Sequence, residues 1–440
     1  MKSQSRLTVL VVLFLPLLGF AQEPASSDEK SLTQGGTVFA LDLYKQLSAK
    51  DGNLFFSPSG ISTTLAMAYA GARGETAVEM ANAFHFDLEQ SKFHAAMGAS
   101  LHSARNDETA RALYQSNSLW LQRGFPLLDG FRQILRDDYG ATAEPVDFKS
   151  DPRGARAAIN HTVEKQTGGR IKDLIAPGTL RTDTLLVLTN AIYFHGLWSL
   201  PFDPTKTKPD NFEVTPGHNV RIPFMHVDSD FAHFRYMETE SFQALEMPYR
   251  DAAPVAATQA PERTPALGGT VQVQEEPFEK FQPRLSMIVF LPKKQVPLAT
   301  FEQSLSFANL NRWLQGLSPG AAPMFLKIPK FSATSELDLV DVLEAMGARR
   351  MFSATADFSG ISNKMGLSVS DVEQKAYVSV EEKGTEAAAA TFMVFVPLSC
   401  CPPPPKPIYF YADRPFVYLI RDNRSGSIVF LGRLKDPSKR

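Results

Sequence analysis

The side chains best suited to chemistry are few and badly placed for catalysis. The chain has two cysteines, the adjacent Cys400 and Cys401, and eight histidines scattered without metal-ligand spacing. A vicinal pair cannot staple distant parts of a fold, so stability must come from packing. In an oxidising compartment the pair can form a vicinal disulfide, link to another chain or stay as exposed thiols. No HExxH, GxSxG or phosphate-loop pattern occurs. Zinc-protease, α/β-hydrolase and nucleotide-binding readings therefore lack their signature residues. No metal, no cofactor and no enzymatic activity are expected.

What stands out instead is one segment, Glu381 to Pro405, EEKGTEAAAATFMVFVPLSCCPPPP. Its run Ala387–Ala390 favours helix, while Phe392, Val394, Phe395 and Val396 favour strand. Pro402 to Pro405 can join neither and should be extended. Such mixed instructions describe either a loop or a segment that changes state. Read as a strand, it puts Ala387, Ala389, Thr391, Met393 and Phe395 on one face, and Glu386, Ala388, Ala390, Phe392, Val394 and Val396 on the other. The first face carries no charge and is small near its start. Gly384 can supply an unusual backbone angle there.

The elements around this segment form a large chain of 440 residues with a formal net charge of −2. That balance gives no reason to expect a nucleic-acid partner. Lys2 and Arg6 precede an apolar run from Leu7 to Leu18, and Gly19-Phe20-Ala21 ends in small residues around an aromatic one. Residues 1–21 therefore read as a cleavable secretion signal. The run is too short for a membrane span, which needs about 20 apolar residues. An exported product, extracellular or periplasmic and free of the membrane after cleavage, is expected. Residues 22–35 read as a flexible leader.

Helical spacing then recurs at Phe39, Leu43 and Leu47, at Ile61 to Ala72, and over 79 to 105. Ile159 to Ile175 reads as an amphipathic helix ended by Gly168-Gly169, and a further helix is expected around Ser335 to Ala348. Leu185 to Phe194, LLVLTNAIYF, is almost wholly apolar and suits a strand buried on both faces. Asn190 inside it should have specific partners, because an unpaired buried amide costs about 1–3 kcal/mol. Strand signals continue at Phe212–Val214, Val220–Met225, Phe242–Tyr249, Leu285–Leu291 and Val369–Glu381. Ala252 to Gln274 lacks periodicity and reads as a disordered insertion. Helices first and strands later argue for an α+β fold with mainly antiparallel sheets.

Several segments together resemble the serpin family: LFFSPSGISTTLAMAYAGARGET (54–76), NHTVEKQTGGRIKDLI (160–175), LVLTNAIYFHGLW (186–198), IPKF (328–331), ADFSGIS (356–362), EEKGTEAAAAT (381–391) and DRPFVYLIRDNRSGSIVFLGR (413–433). The resemblance covers nearly all of residues 36–437. It implies a single monomeric domain of three sheets and about nine helices, with a reactive-centre loop over about 382–405. In inhibitory members a serine protease cuts this loop and is held as an acyl-enzyme while the freed loop inserts into the large sheet.

Family spacing counts fourteen residues from the hinge Gly384 to the reactive bond, which falls at Leu398-Ser399 with Phe395, Val396 and Pro397 before it. Leucine suits a chymotrypsin-, elastase- or subtilisin-like pocket. The hinge would be Glu382, Gly384, Thr385, Glu386 and Ala387, Ala388, Ala389 and Ala390. Ser57 and Asn190 map to the place where the large sheet parts, and Trp198 to the point of loop entry. Two departures stand there: Gly60 where serine is frequent, and Gln374 where many members have histidine. Gln374 can still donate and accept, so an altered but working network is expected. Lys92, Arg105 and Arg111 are too few, and too balanced by Asp107 and Glu108, for a polyanion cofactor. A non-inhibitory carrier or chaperone-like protein and an inhibitor of papain-like cysteine proteases are the alternatives. An intermolecular disulfide through Cys400 or Cys401 is open.

Overall fold

A computed structural model describes residues 26–106, 113–141, 143–229, 234–250, 283–319, 322–364, 366–383 and 406–439. The helices among them are α1 (Ser27–Leu47), α2 (Pro58–Tyr69), α3 (Gly74–Phe84), α4 (Gln90–Asn106), α5 (Asp129–Asp137), α6 (Pro152–Gln166), α7 (Leu298–Gln303), α8 (Phe307–Gly316) and α9 (Val340–Ala345). The strands are β1 (Leu54–Phe56), β2 (Leu113–Gln122), β3 (Ala143–Val146), β4 (Leu186–Phe194), β5 (Lys208–Thr215), β6 (His218–Ser229), β7 (Arg235–Glu238) and β8 (Phe242–Pro248). They continue with β9 (Leu285–Pro292), β10 (Ser318–Pro319), β11 (Met324–Pro329), β12 (Phe331–Asp338), β13 (Asp371–Val380), β14 (Ile408–Tyr411), β15 (Phe416–Asp422) and β16 (Ile428–Leu434).

Three sheets result, ordered β1-β16-β15-β9-β8-β7-β10, β14-β11-β6-β5 and β12-β13-β4-β2-β3. Most neighbours are antiparallel; β11 with β14, β2 with β3, and β4 with β13 are parallel. The α+β class and the three sheets are as the sequence implies. One core cluster lies between the helical layer and the sheets, and a second joins the seven-stranded sheet to the other two. A third forms where Ala155, Ile159 and Val163 of α6 press on Trp120 of β2 and on Val187, Ala191 and Tyr193 of β4. Strand β4 is thus covered on both faces, and every one of its residues is buried. That is the physical reason for its unbroken apolar run.

Several expected boundaries are corrected. The leader expected over 22–35 is helical from Ser27, because Ser26 and Glu29 form a capping box: Ser26 Oγ accepts from Glu29 N and Glu29 Oε2 accepts from Ser26 N. Gly35 lies inside α1 because a Cβ there would stand 2.2 Å from the His85 carbonyl oxygen. A close approach, not a helix stop, explains that glycine. The helix expected over 159–175 begins earlier, at Pro152, capped by Asp151, and ends at Gln166. The helix expected around 335–348 is split: β12 continues to Asp338 along β13, and α9 starts only at Val340.

The sequence holds two Asn-x-Ser/Thr triplets, Asn160-His161-Thr162 and Asn423-Arg424-Ser425, and both use their amides internally. Asn160 exchanges two hydrogen bonds with the Ile175 backbone, and Asn423 donates to Pro283 O and Ser286 Oγ. Residues 1–25 and the insertion expected at 252–274 lie outside the described residues, as does Gly384 to Pro405. Among the described residues no helix is long and apolar enough to cross a membrane.

Candidate functional site

The parallel pair β4–β13 runs in register from Val187↔Asp371 to Tyr193↔Tyr377. It is a seam at the centre of the five-stranded sheet, with α2 beneath it and α6 above β4. By strand alternation Asn190 and Gln374 face α2, while Tyr193, Tyr377, Lys375 and Glu373 face the α6 side.

Beneath the seam runs a row of amides. Gln374 Nε2 donates to Ser57 O at 3.0 Å and also to Asn190 Oδ1, while Gln374 Oε1 accepts from Ser57 N at 2.9 Å. Asn190 Nδ2 donates to Asn117 Oδ1 at 2.5 Å, and Thr64 Oγ1 of α2 donates to the same oxygen at 3.2 Å. Ser57 caps α2 by accepting from Gly60 N and donates its hydroxyl to Val429 O of β16. Gln374 therefore links β13, β4 and the start of α2 at once, as an uncharged donor and acceptor. Gly60 is explained by the same network, since a Cβ there would meet Asn190 side-chain atoms at 2.6 Å.

The outer side carries charge. Asp371 and Glu373 of β13 lie near Asp338 and Glu336 of the neighbouring β12. Burial, then the adjacent carboxylates, push Glu373 up to about 8 and Asp371 up to about 6. Lys375 Nζ pairs with Glu336 and donates to Lys172 O.

At the upper end the chain leaves β13 through Glu381–Lys383 and is held in place. Trp198 Nε1 donates to Glu381 O at 2.9 Å and Trp198 N to Lys383 O at 3.3 Å, while Phe202 N donates to Glu382 O at 2.7 Å. The Glu382 carboxylate accepts from Thr207 Oγ1 and from Lys330 Nζ, both at 2.9 Å. Burial would raise this carboxyl, but Lys330 and Thr207 hold it below the usual range. Trp198 is itself fixed by stacking on Tyr249, with centroids 4.4 Å apart.

The geometry thus gathers Ser57, Asn190, Gln374, Trp198 and Glu382 around one seam and its exit. The remaining hinge residues Gly384, Thr385, Glu386 and Ala387–Ala390, the bait Phe395–Pro397, the bond Leu398-Ser399 and the pair Cys400-Cys401 lie outside the described residues. Asn117, Thr64, Thr207 and Lys330 were not singled out from sequence. Lys330 lay within the quoted IPKF segment, and Asn117 is an amide inside the strand-like sequence from Gln115 to Gln122, the same signal that marks Asn190.

A protein-family model described as serpin (serine protease inhibitor) matches residues 34–267 and 268–437. An uncharacterized serpin-like protein of Thermococcus kodakarensis is 36% identical over 93% of this chain and 86% of its own length. Leukocyte elastase inhibitor of Bos taurus is 32% identical over 93% of this chain and all (100%) of its own. Among solved structures, human thyroxine-binding globulin complexed with thyroxine superposes with a TM-score of 0.76 at 26% identity, over 93% of this chain and 100% of the other. With its three sheets, its closed central seam and these matches, the chain belongs to the serpin family.

Proposed function

We propose that this serpin is a secreted suicide inhibitor of a serine protease with an apolar specificity pocket. The observation that carries the reading is the parallel pairing of β4 with β13. Chain leaving the upper end of β13 and turning back would run antiparallel to both strands, so a strand entering the seam would find unmet hydrogen-bonding partners on either side. Strand β13 leads directly into the segment that can supply it, whose inward face is uncharged and small at its start.

In the proposed reaction the protease serine Oγ bonds to the Leu398 carbonyl carbon, and the Leu398–Ser399 amide bond breaks. The new Ser399 amine takes up the proton and leaves with the downstream chain. Insertion from Thr385 onward then carries the acylated protease along the sheet before water can release it. Hydrogen bonds worth about 1 kcal/mol each roughly offset an ordering cost of about 1–2 kcal/mol per residue. Burial of Met393 and Phe395, about 1.5–3 kcal/mol each, favours the inserted state. Secretion is supported by Lys2, Arg6 and the apolar run Leu7–Leu18.

Incubation with chymotrypsin or elastase is expected to give a covalent complex that survives denaturing electrophoresis. Thr385→Arg should convert the protein into a plain substrate, since a charge would have to enter the sheet. Cleaved product alone from the unaltered protein, with every serine protease tried, overturns the reading. The likeness to thyroxine-binding globulin favours a second reading, a carrier. That reading predicts no large rise in melting temperature when the loop is cut.

A further inference from the structure

Gly168 and Gly169, with φ of 62° and 76°, reverse the chain at the end of α6. Residues Arg170–Ile175 consequently run back over the five-stranded sheet as a strap. The strap is tied to α6 at both ends. Thr167 Oγ1 accepts from Ile171 N, and Asn160 exchanges two hydrogen bonds with the Ile175 backbone, whose carbonyl also accepts from Arg156 Nε at 2.8 Å.

From this fixed position the strap touches both sides of the seam. The Arg170 guanidinium lies 5.1 Å from the centre of the Tyr193 ring on β4. The Lys172 carbonyl accepts from Lys375 Nζ on β13 at 2.8 Å. Between them the Tyr193 and Tyr377 rings stack across the seam, with centroids 5.3 Å apart and planes 8° apart. These two tyrosines are also the last register pair of β4 with β13, at the end where an entering strand would begin.

We infer that Arg170, Tyr193, Tyr377 and Lys375 form a clasp that sets how fast the seam parts, and hence what share of attacking protease is trapped and what share is released. This rests on the loop-insertion reading. A strand entering between β4 and β13 moves them from about 4.8 Å apart to about twice that. At that separation the tyrosine stack is lost, and the strap can no longer hold Tyr193 of β4 through Arg170 and Lys375 of β13 through the Lys172 carbonyl at once. The Lys375–Glu336 pair lies within the β12–β13 side and survives the parting. The clasp therefore opposes opening without contributing to the inserted state. Tyr193, Tyr377, Arg170 and Lys375 are positioning residues: none needs to touch the protease.

The test is uptake of a synthetic peptide of sequence 385–396 by the intact chain, followed by native electrophoresis and melting temperature. It needs no knowledge of the target protease. Tyr377→Leu is expected to take up peptide roughly three- to tenfold faster, and Arg170→Ala about threefold faster. Tyr377→Phe, which keeps the stacked ring, should match the unaltered protein. Uptake at the unaltered rate by Tyr377→Leu and Arg170→Ala, even with a lowered melting temperature, makes the stack ordinary packing and overturns the clasp while leaving insertion intact. If the unaltered protein takes up no peptide and gains no thermal stability on loop cleavage, loop insertion itself is wrong and the clasp falls with it.

Discussion

Two buried strand pairs of this molecule, β15–β16 in the seven-stranded sheet and β4–β13 in the five-stranded one, differ in the polar groups they add to an apolar interior. Between β15 and β16 the pairing is antiparallel and almost wholly apolar, with Val417, Leu419 and Leu431 directed to one core cluster and Tyr418, Ile420 and Phe430 to the other. Phe430 stacks on Phe55 of β1 with centroids 4.9 Å apart. The β4–β13 seam is parallel, with amides beneath it and carboxyls, a lysine and stacked tyrosines above. Parting the first pair would give apolar surface to water at about 25 cal/mol per Å². Parting the second separates Leu188 from Val372 and Ile192 from Ala376 as well, but it also exchanges polar partners, and each hydrogen bond exchanged is worth only about 0.5–1.5 kcal/mol net. If the sheet opens as proposed, the β4–β13 seam is where polar contacts can be remade.

The contrast can be broken most directly at Phe430. Phe430→Ala should lower unfolding stability by about 3–5 kcal/mol, read by denaturant titration, while leaving peptide uptake by the seam unchanged. Uptake accelerated as much as by the clasp variants would erase the distinction between the two pairs.

A smaller effect is expected on the amide side of the seam. Gly60→Ser adds a Cβ that would meet Asn190 at 2.6 Å. Asn190 must then leave Gln374 and Asn117, at a cost of about 1–3 kcal/mol. A melting temperature equal to that of the unaltered protein would show that α2 yields instead and that the close approach is not needed.

The most specific effect is on pH. Burial and neighbouring carboxylates raise Glu373 from 4.5 to about 8 and Asp371 from 3.8 to about 6. The folded chain holds these protons more tightly than the unfolded chain. Their contribution is therefore fully present below about pH 4 and is lost as pH rises, through about 6 for Asp371 and about 8 for Glu373. Glu373→Gln should flatten the decline in stability between pH 5 and 8, measured by urea unfolding. An unchanged slope would mean that water reaches Glu373 freely.

Legibility from sequence followed how local each cause was. The both-faces burial of β4 could be read from its apolar run, and the need of Asn190 for partners from its place inside that run. The early start of α1 was obscured by the polar character of the segment from Gln22 to Thr33, and Gly35, which would loosen a helix in isolation, here admits the His85 backbone. Ser335 to Asp338 matched a helical pattern, yet pairing with β13 holds it extended. A strand partner far along the chain overrode local preference.

The seam shows the same division. Its sequence alone determined that β4 is buried, that Asn190 must be satisfied, and that residues 385–396 can present an uncharged face, because alternation and burial act between near neighbours. Only the tertiary structure decided that Asn190 meets Asn117, 73 residues away, and Gln374, 184 residues away. It alone set β13 against β4 and laid the strap over both. Hydrogen-bond partners separated so far along the chain leave no periodic trace in it, so their choice belongs to the packing of whole elements.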